Sequence, residues 1–195
     1  MAENSSIWQG ELVRLRPVQP SDWLKFHKDG MDSEIARLND AVYGPRSEEG
    51  TRRWTEAEAE RGWNGDTVRL SIENAAGEFA GSISTDKCDP RNGTFSYGIS
   101  IFREHWRKGY AGDSIRIVLR YFFEELRYQK ANAHVYSYNE ASISLHRNLG
   151  FQEEGRMRNM IYTQGSYHDL LLFGITGEEY KKISEPPEAL RFLLI

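Results

Sequence analysis

Glu104-His105-Trp106-Arg107-Lys108-Gly109-Tyr110-Ala111-Gly112-Asp113 joins an alternating apolar run over 94–101 to a strongly periodic one that starts near Ala111. The first run has the period of two of a strand, with Phe95, Tyr97, Ile99 and Ile101 on one face and Gly98 where a bulge or a close backbone approach would fall. The second repeats Ile115, Val118, Leu119, Phe122, Phe123 and Leu126 at helical spacing, an apolar stripe meant for a core. A turn with a basic pair and three small residues just ahead of a helix N-terminus aims backbone N–H groups at an anion. The stretch therefore predicts an anion site at the carboxyl end of a strand, where ligands of open α/β sheets bind.

Upstream, 68–73 and 79–87 also alternate and are separated from each other and from 94–101 by turn residues, which predicts three antiparallel strands. A first strand over 11–16 is ended by Pro17, Ser21 or Asp22 caps a helix running to Gly30, and an Arg- and Glu-rich helix with a solvated face, or a lid, lies between Ser47 and Gly62. Downstream come a strand over 131–138, a helix capped by Asn139 and closed by Gly150 and Phe151, and a hairpin of 156–163 and 166–175 around Gln164-Gly165. This order predicts a mixed α/β (α+β) sheet with one parallel crossover around the long helix.

A chain of 195 residues with 39% hydrophobic content can bury one core, so 1–195 reads as a single domain with its body over 11–176 and a tail over 177–195, including Pro186-Pro187. The formal charge of −4 argues against nucleic acid as main partner and mildly favours a cationic substrate. The polar first ten residues and the lack of any long apolar run predict a soluble, cytoplasmic protein without a membrane span. Cys88, the one cysteine, cannot form an internal disulfide and reads as an inert residue at a strand end. No metal site is expected.

The opening turn fits neither nucleotide motif, because Lys108-Gly109 is followed by Tyr110 and the three glycines of a dinucleotide fingerprint are missing. Trp106-Arg107-Lys108-Gly109-Tyr110-Ala111 instead resembles the acetyl-CoA signature of the GNAT superfamily of N-acetyltransferases. Asn139-Glu140-Ala141-Ser142-Ile143-Ser144-Leu145-His146-Arg147-Asn148-Leu149-Gly150-Phe151 resembles the family's second conserved segment at the expected distance. Gly155-Arg156-Met157-Arg158 through Tyr167-His168-Asp169 is similar to the terminal hairpin of the branch holding ribosomal-protein N-terminal and spermidine acetyltransferases. The resemblance runs from Leu12 to about Ile175.

It implies a mostly antiparallel central sheet splayed between two parallel strands and flanked by helices, with acetyl-CoA as cosubstrate. Backbone amides of Arg107, Lys108, Gly109, Tyr110, Ala111 and Gly112 would hold the pyrophosphate, Gly109 and Ala111 being small so that the phosphates reach the main chain. Ile99, Ser100 and Ile101 would pair with the pantetheine arm, with an oxyanion donor near Ile101. Asn139 would reach the cofactor and Arg147 its phosphates, while Asp113 would be structural.

Acetyl transfer needs a proton for the departing thiolate and an acceptor for the amine's proton. His146 stands where many relatives carry a tyrosine acid, with Ser142 and Tyr138 as competitors for that role. Ser96 stands where relatives commonly carry a glutamate base, which leaves Glu104, His134, His168 and Asp169, or a water chain between them, as candidates. The acceptor is then a primary amine, either a small polyamine- or aminoglycoside-like cation or a protein N-terminus, with segments 33–66 and 164–165 lining its side. A non-catalytic acetyl-CoA sensor is the alternative, and a homodimer is left open.

Overall fold

The structure, a computed structural model, describes residues 6–184. At its centre is a seven-stranded sheet in the order β1-β2-β3-β4-β5-β7-β6. Its strands are β1 (Val13–Pro17), β2 (Arg69–Asn74), β3 (Phe79–Asp89), β4 (Thr94–Ile101), β5 (Lys130–Tyr136), β6 (Gln152–Thr163) and β7 (Ser166–Thr176). Every neighbouring pair is antiparallel except β4 and β5, the two ends of the predicted crossover. The helices are α1 (Trp23–Gly30), α2 (Ser33–Asn39), α3 (Glu48–Arg61), α4 (Tyr110–Arg120), α5 (Glu140–Asn148) and α6 (Gly177–Ser184). This is the mostly antiparallel, helix-flanked sheet that the resemblance implies.

Helix α4 carries the crossover and buries Ile115, Val118 and Leu119 against the sheet, while Phe122 in the π-helical turn that follows (Tyr121–Glu125) stacks on Phe95 of β4 at 4.0 Å. Burying a side chain of this size is worth about 1.5–3 kcal/mol, so the stripe anchors the crossover. Asn139 caps α5 by accepting from Ser142 N at 3.0 Å, and Phe151 N donates back to His146 O at 3.0 Å to close the helix.

Several expectations need correction. Pro17 is the last residue of β1 and pairs with Leu70, which an edge strand tolerates because the lost N–H can face outward. Asp22 does not cap α1: its carboxylate is buried and accepts from Arg16 (2.8 Å), Gln19 N (3.0 Å) and Ser71 Oγ (2.9 Å). Helix α3 buries Thr51 and Thr55, with their hydroxyls on the carbonyls of Ser47 and Thr51, and its Trp54, expected on a solvated helix, packs edge-on against Phe26 of α1 at 5.1 Å. Gly98 makes no bulge and pairs regularly with Ser84. Sequence reading missed α2, capped by Asp32 through Glu34 N and Ile35 N, and α6, whose Tyr180 packs on Phe123. Pro186-Pro187 lie outside the described residues.

Asp113 is structural. Its carboxylate is 5% exposed and accepts from three consecutive amides at the start of β1: Glu11 N (3.2 Å), Leu12 N (2.7 Å) and Val13 N (2.9 Å). Gly10 must be glycine here, since a Cβ would come within 2.4 Å of the Asp113 carboxylate. Asp113→Ala strands these donors; at about 1–3 kcal/mol for a buried unsatisfied group, we expect a loss of about 3 kcal/mol, read from the midpoint of denaturant unfolding.

Candidate functional site

Strands β4 and β5 pair only through Thr94, Phe95 and Ser96 with Lys130, Ala131 and Asn132. Beyond that point β4 follows β3 to Ile101 and β5 follows β7 to Tyr136, so the two edges part. The gap opens into a cavity of about 780 Å³, a size suited to a cofactor-sized ligand. Tyr97, Gly98, Ile99 and Ile101 form one wall and Ala133 and His134 the other. Residues 107–112 close one end, α5 contributes Ser142, Leu145 and His146, and α2 contributes Glu34, Ile35, Leu38 and Asn39.

The turn of residues 107–112 leaves its amides free at the start of a helix. The first helical bond of α4 runs from Asp113 N to Gly109 O at 3.1 Å, and no side chain caps the end. The amides of Tyr110, Ala111 and Gly112 therefore have no intrahelical acceptor, and they sit at the positive end of the helix dipole. Gly109 adopts φ 81°, and a Cβ on it would also meet Leu12 Cδ1 at 2.9 Å. The loop is braced by Trp106 Nε1 donating to Ile101 O at 2.7 Å, and Arg103 joins it to α2 through Asp32 and Glu34.

Arg107 and Lys108 are exposed, line the cavity and have no carboxylate partner among the described residues. Arg116, which sequence reading missed, lines it as well; its place one turn into α4 was the available signal. Arg147 does not: it pairs with Glu153 at 3.2 Å and is absent from the cavity wall. Ile99 and Ile101 lie on the wall, while the Ser100 hydroxyl accepts from Asn39 Nδ2 at 2.7 Å. Asn139 is on the wall with its amide committed on both sides, to Ser142 N and to Leu38 O.

The proton-transfer candidates separate clearly. His146 is 3% exposed, and its Nδ1 lies 2.7 Å from the Ser142 carbonyl oxygen, which fixes the proton on Nδ1. Burial lowers its pKa, so at neutral pH the ring is uncharged and Nε2, buried and unpartnered, is a lone pair with no proton to give. Ser142 Oγ sits 3.3 Å from the same Nδ1. Tyr138 spends its hydroxyl on the Arg37 carbonyl at 2.8 Å, and burial raises its pKa.

Among the base candidates, Glu104 pairs with Lys25 and its carboxyl is lowered by that contact. Asp169 is held by Asn159 N and Arg156, and His168 packs edge-on against Tyr138 at 4.8 Å. Only His134 of the four lines the cavity; the residue is exposed overall, but partial desolvation of its ring, with Lys87 nearby, lowers its pKa and leaves a neutral imidazole that can take a proton. The hairpin around Gln164-Gly165 contributes nothing to the wall; of segment 33–66, α2 alone does. The described residues contain no cluster of metal-ligating side chains and no helix long and apolar enough to cross a membrane.

Residues 13–152 match the family described as acetyltransferase (GNAT) domain. The SPbeta prophage-derived uncharacterized N-acetyltransferase YokL of Bacillus subtilis (strain 168) is 42% identical over 90% of this chain and 96% of its own length. The spermidine N(1)-acetyltransferase of Vibrio cholerae is 28% identical over 60% of this chain and 68% of its own length. A crystal structure of spermidine N-acetyltransferase from Vibrio cholerae in complex with CoA and spermine superposes with a TM-score of 0.75 at 22% identity, over 86% of this chain and 97% of that one, a likeness of fold. With the parted strands and the uncapped helix behind a matching signature, the chain belongs to the GNAT family and is an acyltransferase of the N-acetyltransferase type.

Proposed function

We propose that the protein transfers the acetyl group of acetyl-CoA directly to a primary amine. The observation that carries this reading is the opening between β4 and β5 running onto the uncapped N-terminus of α4. The amides of Tyr110, Ala111 and Gly112 take the pyrophosphate, with Arg107, Lys108 and Arg116 adding long-range attraction. The unpaired edge of β4 takes the pantetheine arm as an added strand. His134 on the facing strand accepts the proton that the amine sheds.

The acceptor side is bounded by α2, whose Glu34 lines the cavity but is paired with Arg103 at 2.8 Å. The formal charge of −4 over the whole chain mildly favours a small cationic amine over a protein N-terminus, in keeping with the spermidine acetyltransferase among the relatives. Mixing the protein with acetyl-CoA and a panel of polyamines, aminoglycosides and N-terminal peptides, and following free thiol, tests this. We expect release with at least one polycation; calorimetric binding of acetyl-CoA with no release from any amine would instead establish a sensor.

If the cradle works through its main chain, steric access matters more than side-chain charge. Ala111→Trp should weaken acetyl-CoA binding by more than about 100-fold, whereas Lys108→Ala should weaken it by only about three- to tenfold, the scale of one exposed charge. Calorimetry on both variants checks the ranking, and the reverse order would sink the backbone cradle.

A further inference from the structure

Three side chains of the cavity wall carry a wholly buried polar atom with no partner among the described residues: His105 through Nδ1, beside the turn before α4, and Tyr97 and His146 through the hydroxyl and Nε2. Leaving such a group unpaired costs about 1–3 kcal/mol, so a native fold keeps one where a ligand completes it. Of these, the Tyr97 and His146 rings lie nearly parallel, 22° apart with centroids at 6.0 Å, and His146 in turn stacks on Phe173 at 5.8 Å, whereas His105 lies against Tyr110. Tyr97 thus has a fixed ring, a position on β4 one residue past the last β5 pairing, and a free donor. Desolvation holds its pKa well above the ordinary value of 10.0, so the phenol keeps its proton. His146, stripped of a transferable proton, is an acceptor only.

We propose that Tyr97, rather than His146, is the catalytic residue that hands a proton to the departing sulfur of CoA, and that His146 is a positioning residue that fixes the Tyr97 ring. This rests on the acetyl-CoA reading above. As the amine nitrogen bonds to the acetyl carbon and the carbon–sulfur bond breaks, the sulfur takes the electron pair and the Tyr97 proton. The amine's surplus proton passes to His134 and from there, through solvent, back to the tyrosinate oxygen. Both residues end as they began, and the products are an amide and free CoA thiol.

The role can be read without knowing the acceptor amine. A phenol that donates to the sulfur stabilises the thiolate of bound CoA, so the thiol pKa in the complex is lower in the wild type than in Tyr97→Phe. The measurement is the pH dependence of iodoacetamide alkylation of saturating bound CoA, with the CoA adduct itself read by mass spectrometry so that Cys88 does not enter. His105, His134 and His146, the titratable imidazoles of the same cavity, are present in both proteins. We expect the thiol pKa to rise by about one unit in Tyr97→Phe, about tenfold in thiolate, with the Kd for CoA within about threefold.

On any amine that the wild type acetylates, kcat of Tyr97→Phe should fall by about 100-fold, and by more than that of His146→Phe. Equal thiol pKa values in the two complexes would overturn the proposal for Tyr97 alone, whereas failure of the wild type to bind CoA would overturn the acetyl-CoA reading and this one with it. Should Tyr97→Phe not fold, 3,5-difluorotyrosine placed at 97 keeps the ring and strengthens the donor. The thiol pKa should then move below the wild-type value, and an unmoved titration refutes the role.

Discussion

The early end of the β4–β5 ladder is the constraint on which the site depends. Two parallel strands joined by only three residue pairs would gain backbone bonds by staying together, yet each has a better partner elsewhere. β4 is held by β3 along its length, and β5 is paired with β7 at all seven positions from Lys130 to Tyr136. Each strand follows the twist of its own antiparallel neighbour, and the shared edge opens. Asn132 marks the fork, its side-chain amide donating to Phe95 O at 3.2 Å. The cost is a row of unpaired backbone groups, which an extended ligand can satisfy.

A gap of this kind is useful only if its ends are rigid. At the end where α4 begins, Asp113 binds the residues entering β1 to the first turn of α4, so the turn is fixed to an edge strand three positions from β4 in the sheet. At the other end α2 bridges the fork. Asn39 reaches Ser100 on β4, while the Arg37 and Leu38 carbonyls accept from Tyr138 and Asn139, which follow β5. Those bonds hold both lips of the opening at a set separation, and Arg103 carries the same clamp to the cradle loop through Asp32.

What the sequence disclosed and what it concealed divide along physical lines. The crossover was legible because Ile115, Val118, Leu119 and Phe122 obey one period and are buried by one sheet. The cradle was legible because its requirement, small residues before a helix start, is local. Helix α2 was not: seven residues with only Ile35 buried carry too little periodicity, and its cap Asp32 is shared with Arg103, seventy-one positions away. Likewise, the resemblance pointed to Arg147 as a neighbour of the phosphates, but no pattern along the chain shows that the turn after α5 brings Glu153 within 3.2 Å of its guanidinium. His146 was found by its place in a motif, whereas its protonation state depends on burial and on the Ser142 carbonyl, neither of which a one-dimensional pattern contains.

Strand alternation then divides the opening into two chemically different faces. Successive side chains of β4 point to opposite sides, so Tyr97 goes inward, 8% exposed, to the ring of His146, while Gly98 is exposed and presents no side chain. Across the gap, β5 repeats the division with buried Ala133 and exposed His134. In the proposed mechanism an incoming amine, cationic in water, would meet the wet side, where the His134 imidazole would take its proton and the missing side chain at 98 leaves room. In that mechanism the leaving sulfur would lie on the dry side, where the Tyr97 phenol, its pKa raised by burial, stays protonated until negative charge develops beside it. Ser96, the preceding residue on the Gly98 face, is buried and carries no carboxylate. Here the two proton transfers are assigned to groups on opposite faces, and the period of two in a strand is enough to keep them apart.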